Sequence, residues 1–117
     1  MKLMNIRTGE IAVTSLTIRS TFWGRFRGYL LLRRPDRACG LLLLGAARVH
    51  TLLMAFPIDI YYLDRSLIVL DCMYQIAPNR ILPRPPWGTA HVLETPHGSC
   101  GPGGSIRAGD RLVIRTD

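Results

Sequence analysis

Three polar residues within positions 49–59, namely His50, Thr51 and Asp59, are the first groups in this 117-residue chain that could do chemistry. In an extended strand His50, Leu52 and Met54 share one side, while Thr51 and Leu53 occupy the other. Asp59 comes two positions after Pro57 and can fold back toward His50. A carboxylate that orients an imidazole serves general bases, and it serves equally well to tie a loop to a protein body. Thr51 is a weak nucleophile unless a neighbour activates it, and nothing adjacent does so. Cys100, in Gly98-Ser99-Cys100-Gly101, is a candidate thiol site with His97 three residues before it. Its glycines leave a side chain accessible. A flexible glycine loop does not hold nucleophile and base at a fixed distance, so a simple turn is the competing reading.

A metal site could recruit His50, Asp59 and a further ligand such as Glu94, although that spacing matches no recognised zinc pattern. Cys39, Cys72 and Cys100 could add to His50, His91 or His97, but no Cys-x-x-Cys unit supports such a centre. Their odd number and wide spacing argue for reduced thiols rather than a disulfide scaffold. Glu94 shares a strand face with Val92 and Ala90, where it can cap turn amides or pair with Arg25 or Arg27. Asp110, after Gly109, most simply accepts hydrogen bonds from the backbone of its own turn. The glycines of residues 98–104 lack the lysine and the strand-to-helix setting of a phosphate loop. No cofactor follows from any of these patterns.

Charge is uneven along the chain. Residues 1–58 hold nine basic and two acidic side chains, and residues 59–117 hold six of each, so the net charge of +7 arises wholly in the first half. Arg25, Arg27, Arg33, Arg34 and Arg37 concentrate it. Such a patch attracts nucleic acid, anionic lipid or an acidic partner, or is simply a solvated face. No aromatic stacking motif accompanies the arginines. No apolar run approaches the roughly 18 residues needed to cross a bilayer, so no integral membrane contact is expected. The N-terminus does not resemble an export signal, which leaves a cytoplasmic setting as the expectation.

The elements that must position these groups are mostly short strands. Residues 11–18 alternate as a strand. Ser20 or Thr21 can cap a helix running to Arg34-Pro35-Asp36, with Phe22, Phe26, Tyr29 and Leu30 on its apolar face. Residues 40–44 and 49–54 read as strands. Residues 58–63 and 67–76 flank Asp64-Arg65-Ser66 as a hairpin, with Ile68, Leu70, Cys72, Tyr74 and Ile76 forming one apolar face of its second arm. Pro78, Pro83, Pro85 and Pro86 make a loop that Trp87 is expected to pin to the body. Residues 90–95 and 111–115 are further strands. The expected fold is mainly β: a small antiparallel sandwich or barrel-like domain with one helix in its N-terminal half. The domain is expected over 11–115, after an N-terminal segment of residues 1–10.

Several segments together resemble the DUF192 family, also called UPF0127. They are Trp23-Gly24-Arg25-Phe26-Arg27-Gly28-Tyr29-Leu30, then Val49-His50-Thr51-Leu52-Leu53-Met54-Ala55-Phe56-Pro57-Ile58-Asp59, Tyr62-Leu63-Asp64, Val92-Leu93-Glu94 and Ala108-Gly109-Asp110-Arg111-Leu112. The resemblance covers about residues 11–115 and implies a mainly β, sandwich-like fold, but no reaction. This chain departs from the family pattern at Leu53, where a small residue is usual, at Ala55, where a basic one is usual, and at Tyr29, where leucine is usual. An anion-binding role for the basic residue is thereby put in doubt at Ala55.

The function expected from these readings is non-enzymatic binding of a small ligand or protein near His50, Asp59 and the arginine segment, with Thr51, Met54, Arg25, Arg27, Glu94 and Asp110 as further binding or structural candidates. One alternative is a hydrolase-like or metal-dependent enzyme using His50 and Asp59, or a thiol site of Cys100 with His97. Another is nucleic-acid binding through the basic first half.

Overall fold

The computed structural model describes residues 1–19, 39–45, 57–77, 84–99 and 106–116. Eight strands run through them: β1 (Lys2–Asn5), β2 (Glu10–Val13), β3 (Ser15–Arg19), β4 (Cys39–Leu44), β5 (Ile58–Leu63), β6 (Val69–Ile76), β7 (His91–Pro96) and β8 (Leu112–Arg115). They form a three-stranded sheet ordered β2-β1-β8 and a five-stranded sheet ordered β3-β4-β7-β5-β6. A core lies between the sheets, with Leu3, Val13 and Leu112 from the smaller one meeting Leu16, Leu42, Tyr61, Leu63, Val69 and Leu93 from the larger. The other face of the larger sheet is buried too, through Leu41, Leu43, Ile58, Ile60, Tyr62 and Val92. Burial on both faces explains why β4 and β5 read as nearly continuous apolar runs instead of alternating.

The mainly β expectation holds, and two of its details are corrected. The larger sheet is not wholly antiparallel, because β3 pairs with β4 in parallel, Ser15 opposite Cys39 and Arg19 opposite Leu43. Parallel neighbours need a crossover of a dozen or more residues, and residues 20–38 supply that length. Nor is a helix part of the described structure: every regular element among the described residues is a strand. Residues 20–34, expected to form the helix, and 49–54, expected to form a strand, lie outside the described residues. No helix among the described residues is long and apolar enough to cross a membrane.

The strand expected over 11–18 is two strands that change sheets at Thr14, β2 joining β1 and β3 joining β4. The corner is closed by the Leu16 amide, which donates to the Met1 carbonyl at 2.8 Å. At this corner Gly40 has no room for a side chain, since a Cβ there would lie 2.9 Å from Val13 Cγ1. Strand β1 was not expected from the sequence.

The β5–β6 hairpin forms as expected, with Asp64 Oδ1 accepting from the amides of Ser66 at 2.8 Å and Ile68 at 3.0 Å. Its second arm does not keep one continuous apolar face. Leu63 faces Val69 but Tyr62 faces Asp71, and Ile60 faces Met73 but Ile58 faces Ile76, so the register shifts twice. Each shift moves the following side chains to the opposite face. Val69 and Cys72 therefore pack toward the inter-sheet core, while Met73 and Ile76 join the other face. Gln75 at the second bulge has a positive φ of 55°. Trp87 is 99% exposed and pins nothing. Its turn is held by Thr89, whose hydroxyl donates to the Pro86 carbonyl at 2.7 Å.

Candidate functional site

Strands β5 and β7 are antiparallel neighbours, with Ile58 opposite Pro96 and Asp59 opposite Thr95. Side chains alternate along β5, so Asp59 shares the inter-sheet side with Tyr61 and Leu63. The chain leaves β7 at Pro96, and the His97 amide donates to the Pro57 carbonyl at 3.1 Å. That bond brings the imidazole over the start of β5. His97 Nδ1 lies 2.8 Å from Asp59 Oδ1; the carboxylate side chain is 0% exposed and the imidazole 38%.

Asp59 holds more than the ring. Its Oδ1 also accepts from the Gln75 amide at 2.8 Å, and its Oδ2 accepts from the Gly98 amide at 3.0 Å. Gln75 and Gly98 both have positive φ, 55° and 84°. One buried carboxylate thus fastens β5, the β6 bulge and the turn after β7, and it satisfies two amides turned inward by left-handed backbone. Each of these groups donates to Asp59, so Nδ1 carries the hydrogen in the neutral ring and the lone pair lies on Nε2. Nε2 has no partner among the described residues. His91, at the other end of β7, has the opposite tautomer, because its Nδ1 accepts from the Gly45 amide at 2.9 Å.

Beside this pair, the hydroxyl of Thr95 is buried and has no hydrogen-bond partner among the described residues. Tyr74, next to the bulge, stacks edge-on against Tyr61 with centroids 6.1 Å apart, and burial together with the Cys72 thiol raises its phenol to about 12. Burial pushes the Cys72 thiol up as well, which removes it from the reactive thiolates.

Glu94 is on the opposite face of the same sheet. It lies opposite Leu41 and Ile60 within the second apolar cluster, and burial raises its carboxyl to about 8. Glu94 and Asp59 therefore point to opposite sides, and no single ion can contact both. No group of three or more His, Cys, Asp or Glu side chains suited to a metal converges among the described residues.

Asp110 is the hub of a separate network. Arg7 Nε donates to its Oδ1 at 2.7 Å and Arg7 Nη2 to its Oδ2 at 3.1 Å. Asn5 Nδ2 and the Arg107 amide each donate to Oδ2 at 2.8 Å. Chiefly through the Arg7 hydrogen bond, the carboxyl is held at about 2. The turn contact was legible in the sequence. Arg7 and Asn5 were not, since nothing local links them to a residue more than a hundred positions away.

Of the residues singled out in the sequence, Cys39, Asp59, Cys72, His91, Glu94, His97 and Asp110 are placed. Arg25, Arg27, Arg33, Arg34, Arg37, His50, Thr51, Met54 and Cys100 lie outside the described residues. The sequence suggested pairing Asp59 with His50 and His97 with Cys100; the structure joins Asp59 to His97. Thr95 was overlooked, although it stands directly opposite Asp59.

The DUF192 family model, described as an uncharacterized ACR, matches residues 4–114. The chain belongs to the DUF192 family. A UPF0127 protein of Thermococcus sibiricus (strain DSM 12597 / MM 739) is 31% identical over 100 residues, covering 82% of this chain and 64% of that protein's length. This DUF192 chain thus spans less than two thirds of that relative. Among solved structures, a protein of unknown function from Novosphingobium aromaticivorans DSM 12444 superposes with a TM-score of 0.82 at 20% identity, over 97% of this chain and 84% of that one. A Sinorhizobium meliloti 1021 protein, described as a candidate transcription regulator, gives a TM-score of 0.76 at 21% identity, over 96% and 89% of the two chains. At these identities the likeness is one of fold.

Proposed function

We propose that this DUF192 domain is a non-enzymatic binding module that takes a small ligand at His97, with the outward Nε2 as the recognition group. The observation that carries the reading is the 2.8 Å contact between a half-exposed imidazole and the fully buried Asp59. The carboxylate fixes the ring's orientation and tautomer before a ligand arrives, so little ordering remains to oppose binding. A neutral ring accepts a hydrogen bond at Nε2; a protonated one donates to an anion. A cytoplasmic setting belongs to the same reading, since three widely spaced cysteines suit reduced thiols better than a disulfide scaffold.

The test is a titration of ¹⁵N-labelled protein with small carboxylates, phosphates and amides, following the His97 ring nitrogens. At least one class is expected to shift Nε2, and His97→Ala is expected to abolish that binding while the amide spectrum stays folded. Ligand binding that survives His97→Ala removes His97 from the site. A library that leaves Nε2 unmoved reduces the pair to a structural tie.

The same geometry carries a second reading, because a buried carboxylate on Nδ1 with Nε2 facing outward also equips a general base. Turnover of an ester or thioester that disappears in His97→Gln, in a folded protein, would place the domain among enzymes.

A further inference from the structure

The outer side of the three-stranded sheet has an arrangement that the His97 site does not use. Register fixes which side chains share it. Met4 on β1 lies opposite Ile11 on β2 and Val113 on β8, while Lys2 lies opposite Arg115. The inward-facing neighbours Leu3, Asn5 and Leu112 are buried, so Lys2, Met4, Val113 and Arg115 face outward. One step further, the Ile6 amide donates to the Arg111 carbonyl at 3.0 Å and extends the pairing. The face is thus an apolar row, Ile11–Met4–Val113, with cations on both flanks: Lys2 and Arg115 on one, Arg111 beside Ile6 on the other. Ile6 is 50% and Ile11 39% exposed. None of the carboxylates in the described residues stands in these rows; Glu10 is at the hairpin end of β2 opposite Asn5, and Asp110 is taken by Arg7.

We propose that this face is a peripheral docking surface for an anionic lipid bilayer. Charge complementarity supplies the attraction, since Lys2 and Arg111 flank the face on opposite sides and none of the carboxylates among the described residues stands between them. The centre selects bilayer over protein partner. Its aliphatic side chains offer no hydrogen bond, and its thioether, Met4 Sδ, already accepts from Arg115 Nη1 at 3.6 Å; it is also a sheet face, not a groove. A headgroup region accepts Lys and Arg while the adjoining acyl boundary accepts Met and Ile, so both kinds of row are satisfied together.

The experiment is sedimentation of the full chain with phosphatidylcholine vesicles, with and without phosphatidylserine, at low and high salt. Binding is expected only where phosphatidylserine is present, and it should weaken with salt. Neutralising the three flanking cations together (K2Q, R111Q, R115Q) should lower the partition by about 10²-fold, from the attraction typical of each basic residue near an anionic surface. I6S with I11S should weaken binding at unchanged charge, and circular dichroism would verify that both variants are folded. Several results would overturn the proposal. They are equal partition to neutral and anionic vesicles, no partition to either, partition unaffected by the triple neutralisation, or a dimer in solution that dissociates in the I6S/I11S variant. None of these variants touches His97 or Asp59, so this test and that of the ligand site fail independently.

Discussion

Replacing Asp59 by alanine should destabilise the domain by about 4–5 kcal/mol. The amides of Gln75 and Gly98 lose their acceptor in this variant. Each sits in left-handed backbone that cannot turn outward without undoing the β6 bulge or the turn after β7. An orphaned amide costs about 1–3 kcal/mol, and a value near the middle of that range applies where water can partly reach it. The half-exposed imidazole can turn to solvent, so it adds less than about 1 kcal/mol. Asp59→Asn separates these contributions. Its carbonyl oxygen can still serve the Gln75 amide and His97 Nδ1, while its NH₂ group faces the Gly98 amide, one donor against another. A cost of about 1–2 kcal/mol is expected. Urea unfolding followed by far-ultraviolet circular dichroism measures both, with an unchanged m-value showing that the folded state keeps its extent. The His97 ring nitrogens provide the second readout. Hydrogen on Nδ1 is expected in the wild type and in Asp59→Asn, and a mixture of tautomers in Asp59→Ala. An alanine variant within about 1 kcal/mol of wild type, or an asparagine variant less stable than the alanine one, would refute the account of Asp59 as a three-way fastener.

Glu94 should make stability fall as pH rises. Its folded carboxyl is raised to about 8 from an ordinary 4.5, so the folded state keeps a proton that the unfolded chain has released. The stabilisation is complete below about 4.5 and is lost progressively up to about 8, with an upper bound of about 5 kcal/mol. Glu94→Gln should flatten urea midpoints measured across that window, and an unchanged slope would show that another group is responsible. Asp110 has the opposite sign: held at about 2 instead of 3.8, it stabilises the fold above its ordinary value and loses that contribution as pH falls through 2. Arg7→Ala should move its titration upward, visible in the side-chain carboxyl ¹³C resonance. Gly40→Ala should cost about 1–3 kcal/mol through overlap with Val13. Val13→Ala should cost less in that background than in wild type, and additive effects in the double-mutant cycle would rule out the contact.

Local signals in the chain were good guides to the fold, and long-range ones were hidden. Strand β5, the Asp64 turn, β7 and β8 were legible because apolar content and turn residues are properties of adjacent positions. The faces of β6 were not, since a bulge adds one residue without altering composition and so inverts everything beyond it. The break at Thr14 was hidden for a related reason: β2 and β3 are each good strands, and only the sheet each joins tells them apart. Asp59 and His97 were legible as groups capable of chemistry. Their partnership depends on Ile58 standing opposite Pro96, a register decided between strands more than thirty residues apart. Arg7 belongs with Asp110 for the same kind of reason, through the pairing of β1 with β8.

That pairing also constrains the order in which the domain can be assembled. β1 lies between β2 and β8, the first of the eight described strands against the last, with Lys2 opposite Arg115. On a ribosome the β1–β2 hairpin emerges early, yet the far edge of β1 stays unpaired and the cover of its inner face incomplete until β8 has been made. An isolated hairpin is marginal in water. Leu3 and Val13 meet Leu16, Leu42 and Tyr61 first, but their cover is complete only when Leu112 arrives, and that closing event joins the most distant of the described strands. Folding should be slow for a domain of this size, with β8 as its latch.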